Sequence, residues 1–208
     1  MAKQRATPVT IMLEVNKMAR NPETTWQMLD EAMSHFQAHI ALKKDRCSLT
    51  IVDLLHVSNF KGGNASITEP VQSLPRKLKP YESALWEIDK AFSIKELIKL
   101  DDGKTSELKL RCKQFLELTR NPNSEIRGFG PSYASALLAA HFPNLIPILD
   151  RRALNGAGIK VDKDSQGQVR NITSHYGDLI DAFRRELLRN PGITLRQLDK
   201  RWFSKPLT

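Results

Sequence analysis

Helical periodicity is the feature of this sequence that most limits its fold. Apolar residues recur at helical spacing along most of the chain, and few runs alternate with the period of two that is typical of strands. Residues 48–57 (SLTIVDLLHV) are predicted to form a buried helix, although a strand fits the same apolar run. Further helices are expected at 10–20, 22–40, 93–100 and 106–119, and two more are expected to begin at Tyr81 and at Ile193. We therefore predict an all-α fold, with one more amphipathic helix from His175.

Glycine, proline and asparagine mark the breaks between these helices. Asn21 and Pro22 form a good cap and first turn. The double glycine of FKGGNAS at 60–66 predicts a loop. Three prolines in 70–80 predict an irregular connection, and the polar segment 161–171 is expected to be a loop. With 208 residues, the chain is predicted to form a single domain over 1–208.

The balance of charge points to a polyanionic partner. The chain has 32 Lys and Arg residues against 23 Asp and Glu residues, which gives a formal charge of +9. A domain this basic commonly binds nucleic acid, although solubility alone is the other interpretation.

Cysteine usage and hydropathy exclude several classes of protein. Cys47 and Cys112 lie in separate segments without a CxxC spacing, which argues against a zinc ribbon, an iron–sulfur cluster and a disulfide scaffold. No metal and no cofactor are expected. No apolar stretch has the length of a secretory signal or of a transmembrane helix. We expect a cytoplasmic protein that does not enter membranes.

Residues 126–134 (IRGFGPSYA) combine a glycine turn with the start of a helix. Gly128 and Gly130 permit positive φ angles and the close approach of another backbone. Pro131 suits the first turn of the helix that follows. The free N–H groups at the start of that helix favour an anion such as a DNA phosphate, and Arg127 adds positive charge. A short GxG turn is also compatible with a plain helical corner.

The turn is followed by an apolar segment, PNLIPILD, that ends on Asp150. The glycine hairpin at 126–134, followed by one aspartate at the end of an apolar segment, resembles the helix-hairpin-helix (HhH-GPD) superfamily of DNA glycosylases. FPNLIPILDRRAL is similar to the 8-oxoguanine-glycosylase-like branch of that family. The resemblance is specific over about 105–160. Ile126 and Arg127 replace the usual Leu-Pro, and the family's optional C-terminal cysteine cluster is absent.

The resemblance implies a fold and an activity. It implies two helical lobes around a helix-hairpin-helix core, with an N-terminal helical part at 1–100 and C-terminal helices at 173–203. It implies an enzyme that flips a modified or damaged base out of double-stranded DNA and hydrolyses its N-glycosidic bond. The base would be an oxidised purine or a modified base of phage DNA. We expect such an enzyme to act as a monomer.

The resemblance also assigns roles to residues. Asp150 would be the catalytic carboxylate, and Ser132 stands where bifunctional members have a nucleophilic lysine, which implies a monofunctional enzyme. If the nucleophile is nevertheless a lysine from another position, the candidates are Lys61, Lys43 and Lys44. DNA contacts are expected from Arg127, Gly128, Phe129, Gly130, Ser132, Arg151, Arg152 and Lys61. Possible walls of the base pocket are His56, Phe60, Trp86, Trp26 and Trp202.

Three alternatives stay open. Asp150 is also positioned to cap the helix RRALNG without any chemistry. The hairpin could belong to a non-catalytic helix-hairpin-helix protein that only binds DNA. The chain could also be a helical protein unrelated to nucleic acid.

Overall fold

The computed structural model describes residues 22–62 and 66–205, and these ranges are built from helices. They contain eight α-helices: α1 (Pro22–Leu42), α2 (Ile51–Phe60), α3 (Leu74–Ala91), α4 (Asp102–Glu117), α5 (Pro131–His141), α6 (Arg151–Gly156), α7 (Tyr176–Arg189) and α8 (Leu195–Phe203). The β-type pairing found there is one isolated antiparallel bridge between Lys163 and Val169. The all-α prediction is confirmed for the described residues. The helix expected at 10–20 lies outside them.

Two local predictions differ from the structure. The irregular connection expected at 70–80 is limited to 70–73, because α3 begins at Leu74 and runs through Pro80. Pro75 lies in the first turn, where its missing N–H has no helical acceptor to lose. Pro80 does cost a helical hydrogen bond, but its neighbours Leu78 and Tyr81 are buried in the core, and this burial keeps the segment helical.

The helix expected at 93–100 is reduced to a single 3-10 turn, Leu97–Lys99. The backbone N–H of Leu97 donates to the carbonyl of Asn144 at 3.0 Å. Leu97 is buried by this contact with a distant segment, and a long-range hydrogen bond replaces the one that a continuous helix would make. The run at 48–57, by contrast, is helical from Ile51, where Thr50 caps α2 in a capping box with Asp53.

Helix α5 lies at the centre of the molecule. All its residues from Tyr133 to His141 are buried, and it contacts α1, α2 and α4. A helix that is buried on every side must be apolar all round. The Ala-rich sequence of α5 meets that requirement with small side chains, which allow three neighbouring helices to approach.

The segment after α5 is buried without being helical. Leu145, Ile146 and Leu149 are fully buried, and 146–150 belongs to no helix or strand. Its backbone groups therefore need partners from elsewhere. The N–H of Leu149 donates to Ser135 Oγ at 2.9 Å, and the hydroxyl of Tyr176 donates to the carbonyl of Pro147 at 2.6 Å. These bonds from α5 and α7 fix the path of the chain up to Asp150.

A glycine brings the last helix close to Asp150. A Cβ at Gly156 in α6 would lie 2.3 Å from the Cβ of Trp202 in α8. The absence of a side chain therefore lets α8 pack directly on α6. The ring of Trp202 meets Phe183 of α7 at 4.4 Å, which fixes α8 from its other side. Over 22–62 and 66–205, no helix is long and apolar enough to cross a membrane.

Replacing Ser135 by alanine tests the link between α5 and the segment that leads to Asp150. The N–H of Leu149 would lose its acceptor inside the core, so we expect the free energy of unfolding to fall by about 1–3 kcal/mol. Urea denaturation, monitored by circular dichroism, measures this loss of stability. Ser174→Ala is the control, because the exposed Ser174 only bonds the nearby Asn171 carbonyl. Equal losses in the two variants would contradict this role of Ser135.

Candidate functional site

One cleft brings together the features that the sequence singled out. Its volume is about 810 Å³, within the usual range for small-molecule sites. It lies between the glycine turn, the start of α6, the end of α2, one side of α1 and one side of α8. Segments that are far apart in the sequence therefore share a single concave surface.

Asp150 caps α6 and lines this cleft at the same time. Its Oδ1 accepts the N–H of Ala153 at 2.8 Å, so the predicted helix cap is present. Its Oδ2 lies 3.7 Å from Lys61 Nζ. The side chain keeps 21% of its surface exposed. Because a carboxylate has two oxygens, capping occupies one of them and leaves the other toward the cleft.

Lys61 is positioned by the end of α2. Its side chain is 13% exposed, and its ammonium group lies 5.9 Å from the centre of the Phe60 ring. The other two lysines named as alternatives are elsewhere: Lys43 forms an ion pair with the buried Asp53 at 2.8 Å, and Lys44 is exposed and does not line the cleft. Of these three lysines, the structure brings only Lys61 to Asp150.

The two glycines of the turn serve different purposes. Gly128 has a φ of +86°, and a Cβ there would lie 2.0 Å from the carbonyl oxygen of Ser66. A side chain at this position would collide with backbone. Gly130 has a φ of −87°, so the positive φ expected for it is absent, and a Cβ would meet no atom within 4 Å. The space beside Gly130 belongs to the cleft.

A buried carboxylate holds the backbone of the glycine turn in place. Glu69 accepts the N–H of Arg127 at 3.2 Å and forms an ion pair with Lys77 at 2.7 Å. Hydrogen bonds from Lys77, Ser73 and the Arg127 backbone lower the pKa of Glu69 to about 2. The carbonyl of Arg127 accepts the N–H of Thr68 at 3.1 Å. The backbone of the turn is thus fixed, while the Arg127 side chain is exposed at the cleft.

Phe129, expected to contact DNA, points into the core. It is 2% exposed, and its ring packs edge-on against Tyr81 at 5.6 Å. Its backbone, between the two glycines, is the part that remains available to a ligand. Ser132 is half-buried and lines the cleft in the first turn of α5.

Arg151 and Arg152 both line the cleft, and both have partners within the chain. Arg151 Nη1 donates to the carbonyl of Gly167 at 2.8 Å. Arg152 Nη1 donates to the carbonyl of Phe203 at 3.2 Å, and its guanidinium lies 4.7 Å from the centre of that ring. Each guanidinium retains further N–H groups for an external anion.

The predicted aromatic walls divide into two groups. Phe60 and Trp26 line the cleft. Trp86 does not, since it is 51% exposed on a different surface, and Trp202 is buried against Phe183.

His56 also lies away from the cleft. Its ring stacks on Phe36 at 5.2 Å and on His39 at 4.9 Å. Burial lowers the pKa of His56, and the neighbouring His39 lowers it further. His56 is therefore a packing residue between α1 and α2.

Three residues of α8 line the cleft without having been predicted there: Arg196, Asp199 and Phe203. Arg196 Nε donates to Asp30 Oδ1 at 2.8 Å, and its Nη1 donates to Asp199 Oδ2 at 2.6 Å. The guanidinium lies 4.1 Å from the centre of the Trp26 ring. Arg196 and Phe203, whose ring lies 5.2 Å from that of Trp26, thus join α8 to α1 beside the cleft.

Asp199 is a buried carboxyl, 4% exposed. Burial raises its pKa; Arg196 opposes the rise, Asp150 adds to it and Lys61 opposes it. The sequence holds a signal for it, because Leu195, Leu198, Asp199 and Trp202 follow helical spacing on one stripe. A charged residue on an apolar stripe is the pattern that could have identified it.

The described part of the chain contains no group of three His, Cys, Asp or Glu residues placed to hold a metal ion. Cys47 and Cys112 are both buried as free thiols. No protein-family model, curated protein or solved structure matches this chain.

The two glycines of the turn predict opposite results for one substitution. Gly128→Ala places a methyl group against the Ser66 carbonyl at a positive φ, so we expect the free energy of unfolding to fall by at least about 1–3 kcal/mol. Gly130→Ala meets no atom and has an ordinary φ, so stability should stay the same or rise by up to about 1 kcal/mol. Urea denaturation of the two variants measures both changes in the free energy of unfolding. Equal losses of stability would contradict this account of the turn.

Proposed function

We propose that this protein is a DNA glycosylase, in which a helix-hairpin-helix core between two helical lobes binds double-stranded DNA and Asp150 promotes hydrolysis of an N-glycosidic bond. The observation that carries the proposal is the shared cleft: the glycine turn and Asp150 line it together, with Lys61 beside the carboxylate. A turn that binds a DNA strand would then hold that strand next to a carboxyl group.

The charge of the cleft supports binding to DNA. Its lining includes five cationic side chains against three acidic ones; the cations are Lys61, Arg127, Arg151, Arg152 and Arg196. Helix α5 begins at the cleft without a side-chain cap, so the positive end of its dipole favours a phosphate there. Such contacts position a strand without reading its sequence. The open space beside Gly130 lets the DNA backbone approach.

The position of Asp150 supports the chemistry. As the N-glycosidic bond breaks, the sugar gains oxocarbenium character, which a nearby carboxylate stabilises. The same group can take a proton from the attacking water. The Ala153 N–H holds one oxygen of Asp150, and the Lys61 ammonium lies beside the other. Because Ser132 offers no amine, water is the nucleophile, and the enzyme is monofunctional.

The cleft also offers room for an extruded base. Base-excising enzymes move their target out of the helical stack and hold it between aromatic or apolar side chains. Trp26, Phe60 and Phe203 line the cleft around Arg196. The target base would be an oxidised purine or a modified base of phage DNA.

A second candidate is a non-catalytic helix-hairpin-helix protein that binds DNA. The cap that Asp150 forms with Ala153 favours it, because the cap alone would explain an aspartate at this position. The two candidates differ in whether the negative charge of Asp150 is needed: a glycosylase needs it to release the base, whereas a binding protein does not.

Replacing Asp150 by asparagine separates the two candidates. Asparagine caps helices as well as aspartate, so α6 stays intact while the negative charge is lost. We expect release of the target base to fall by about 10³-fold. DNA affinity should be unchanged or higher. Single-turnover base release from duplex panels carrying 8-oxoguanine, uracil, alkylated bases or modified cytosines measures the effect.

Asp101→Asn is the matched control. Asp101 caps α4 through a 2.7 Å bond to the N–H of Lys104, outside the cleft, so the same substitution should leave base release unchanged. If the wild type binds DNA but releases no base from any duplex, the binding protein is the correct interpretation.

The role of Lys61 gives a further prediction. With water as nucleophile, strand breaks should appear only after alkali, and borohydride should trap no covalent protein–DNA adduct. Lys61→Arg keeps the positive charge beside Asp150 and should reduce base release by no more than about tenfold, whereas Lys61→Met should reduce it further. A borohydride-trapped adduct that disappears in Lys61→Arg would show instead that Lys61 is the nucleophile.

A further inference from the structure

We propose that a second pocket beside the cleft is a phosphate subsite, which binds the DNA strand next to the nucleotide that is excised. The second pocket has a volume of about 280 Å³ and lies between α6 and the segment 158–163. The inference rests on the proposed function, because it takes DNA as the ligand. It extends the DNA-binding surface beyond the glycine turn and gives a role to Lys160 and Lys163.

The lining of the second pocket is cationic. The side chains of Arg151, Lys160 and Lys163 line it, and no carboxyl group of the described residues does. Asp162 and Asp164, which flank Lys163 in the sequence, lie outside the lining. A concave surface with three cations and no acid favours an anion, and phosphate oxygens are strong acceptors for ammonium and guanidinium groups.

Arg151 connects the second pocket to the cleft, because it lines both of them. Its Nη1 donates to the carbonyl of Gly167 at 2.8 Å, and the guanidinium keeps further N–H donors for an external anion. A DNA strand carries one phosphate per nucleotide. A strand that is bound in the cleft therefore presents a neighbouring phosphate to the second pocket, on the other side of Arg151.

A small hairpin at 162–170 positions Lys163 between the two concave surfaces. The N–H of Asp164 donates to the carbonyl of Gln168 at 2.9 Å. One oxygen of the Asp164 carboxylate accepts the N–H groups of Gln166 and Gln168, both at 2.9 Å. The charge of Asp164 is thus used to hold the hairpin itself. Lys163, on the first arm, lines the second pocket, and Gln168, on the returning arm, lines the cleft.

The cations of this region differ from those on the rest of the surface in having no acidic partners. All four cations of α4 form ion pairs with carboxylates. Within 22–62 and 66–205, these side chains form no ion pair: Arg120, Arg127, Arg151, Arg152, Lys160 and Arg170. Four of these six line the cleft or the second pocket. Charges that are not compensated within the chain attract a polyanion to this side of the molecule.

The contacts of the second pocket would position the strand without reading its sequence. Lysine and arginine contacts to phosphates add affinity for any duplex, and each one makes binding more sensitive to salt. The subsite should therefore be detected as a contribution to affinity that depends on salt and that requires a charged phosphate at one place in the strand.

The first test compares the DNA affinity of wild type and Lys160→Gln over a range of salt concentrations. Loss of one phosphate contact should weaken binding about 3–10-fold at roughly 100 mM salt and reduce the slope of log K against log[salt] by about 0.9. Lys160→Arg should retain the affinity and the slope. Because Lys160 is exposed, the midpoint of thermal unfolding should not change.

Lys113→Gln is the matched control. It also removes one positive charge, but it does so on α4, which lines neither the cleft nor the second pocket. Its affinity and salt slope should stay close to those of the wild type. An equal loss in Lys113→Gln and Lys160→Gln would show that only net charge matters, and the subsite would be refuted.

The second test locates the phosphate. The duplex carries the base that the wild type releases best, and every protein carries Asp150→Asn so that the complex persists. One uncharged methylphosphonate linkage is moved one nucleotide at a time on either side of the target base. At one or two positions it should weaken binding by the same factor as Lys160→Gln, and at those positions it should have no further effect on Lys160→Gln.

The outcomes separate the two proposals. If Lys160→Gln keeps the wild-type affinity and slope, or if no linkage is coupled to Lys160, the inference fails and the glycosylase proposal stands. If the wild type binds no DNA or releases no base from any duplex, the proposed function fails first.

Discussion

The structure depends on how a buried, non-helical segment satisfies its backbone. Residues 145–149 are apolar enough to enter the core, but they lie outside the helices, so their N–H and carbonyl groups need partners from elsewhere. Ser135 and Tyr176 supply two of those partners. The segment can therefore end abruptly where α6 starts, and the residue that caps α6 meets the cleft. The position of Asp150 is a consequence of hydrogen bonds made by residues that never touch the cleft themselves.

Local signals were enough for the helices and for the glycine turn. Pro131 and the two glycines predict the start of α5, and an aspartate after an apolar run predicts the cap of α6, because both depend on residues adjacent in the sequence. The same reasoning failed at Pro80, where burial of α3 outweighs the lost hydrogen bond. It also failed at Phe129, because a turn can carry an aromatic side chain inward as readily as outward.

The cleft itself could not be predicted from local patterns. Lys61 was one of several possible lysines, and only the tertiary fold brings the end of α2 to the start of α6, with Lys61 within 3.7 Å of Asp150. Asp199 lies on a different helix near the end of the chain, and Gly156 has to lack a side chain before α8 can reach this position. Contacts between segments so distant in sequence depend on side-chain fit, which a pattern of apolar residues does not encode.

The acidic residues are the strongest argument about what the cleft does. A surface that only holds a polyanion gains affinity from every cation and loses it with every carboxylate. This chain carries a formal charge of +9, yet its cleft contains Asp150 and Asp199 close enough to raise the pKa of Asp199. Asp199 is buried, and its ion pair with Arg196 at 2.6 Å offsets the cost of burying its charge. A surface that only bound DNA would gain affinity without Asp150, and this is why we propose chemistry for the cleft as well as binding.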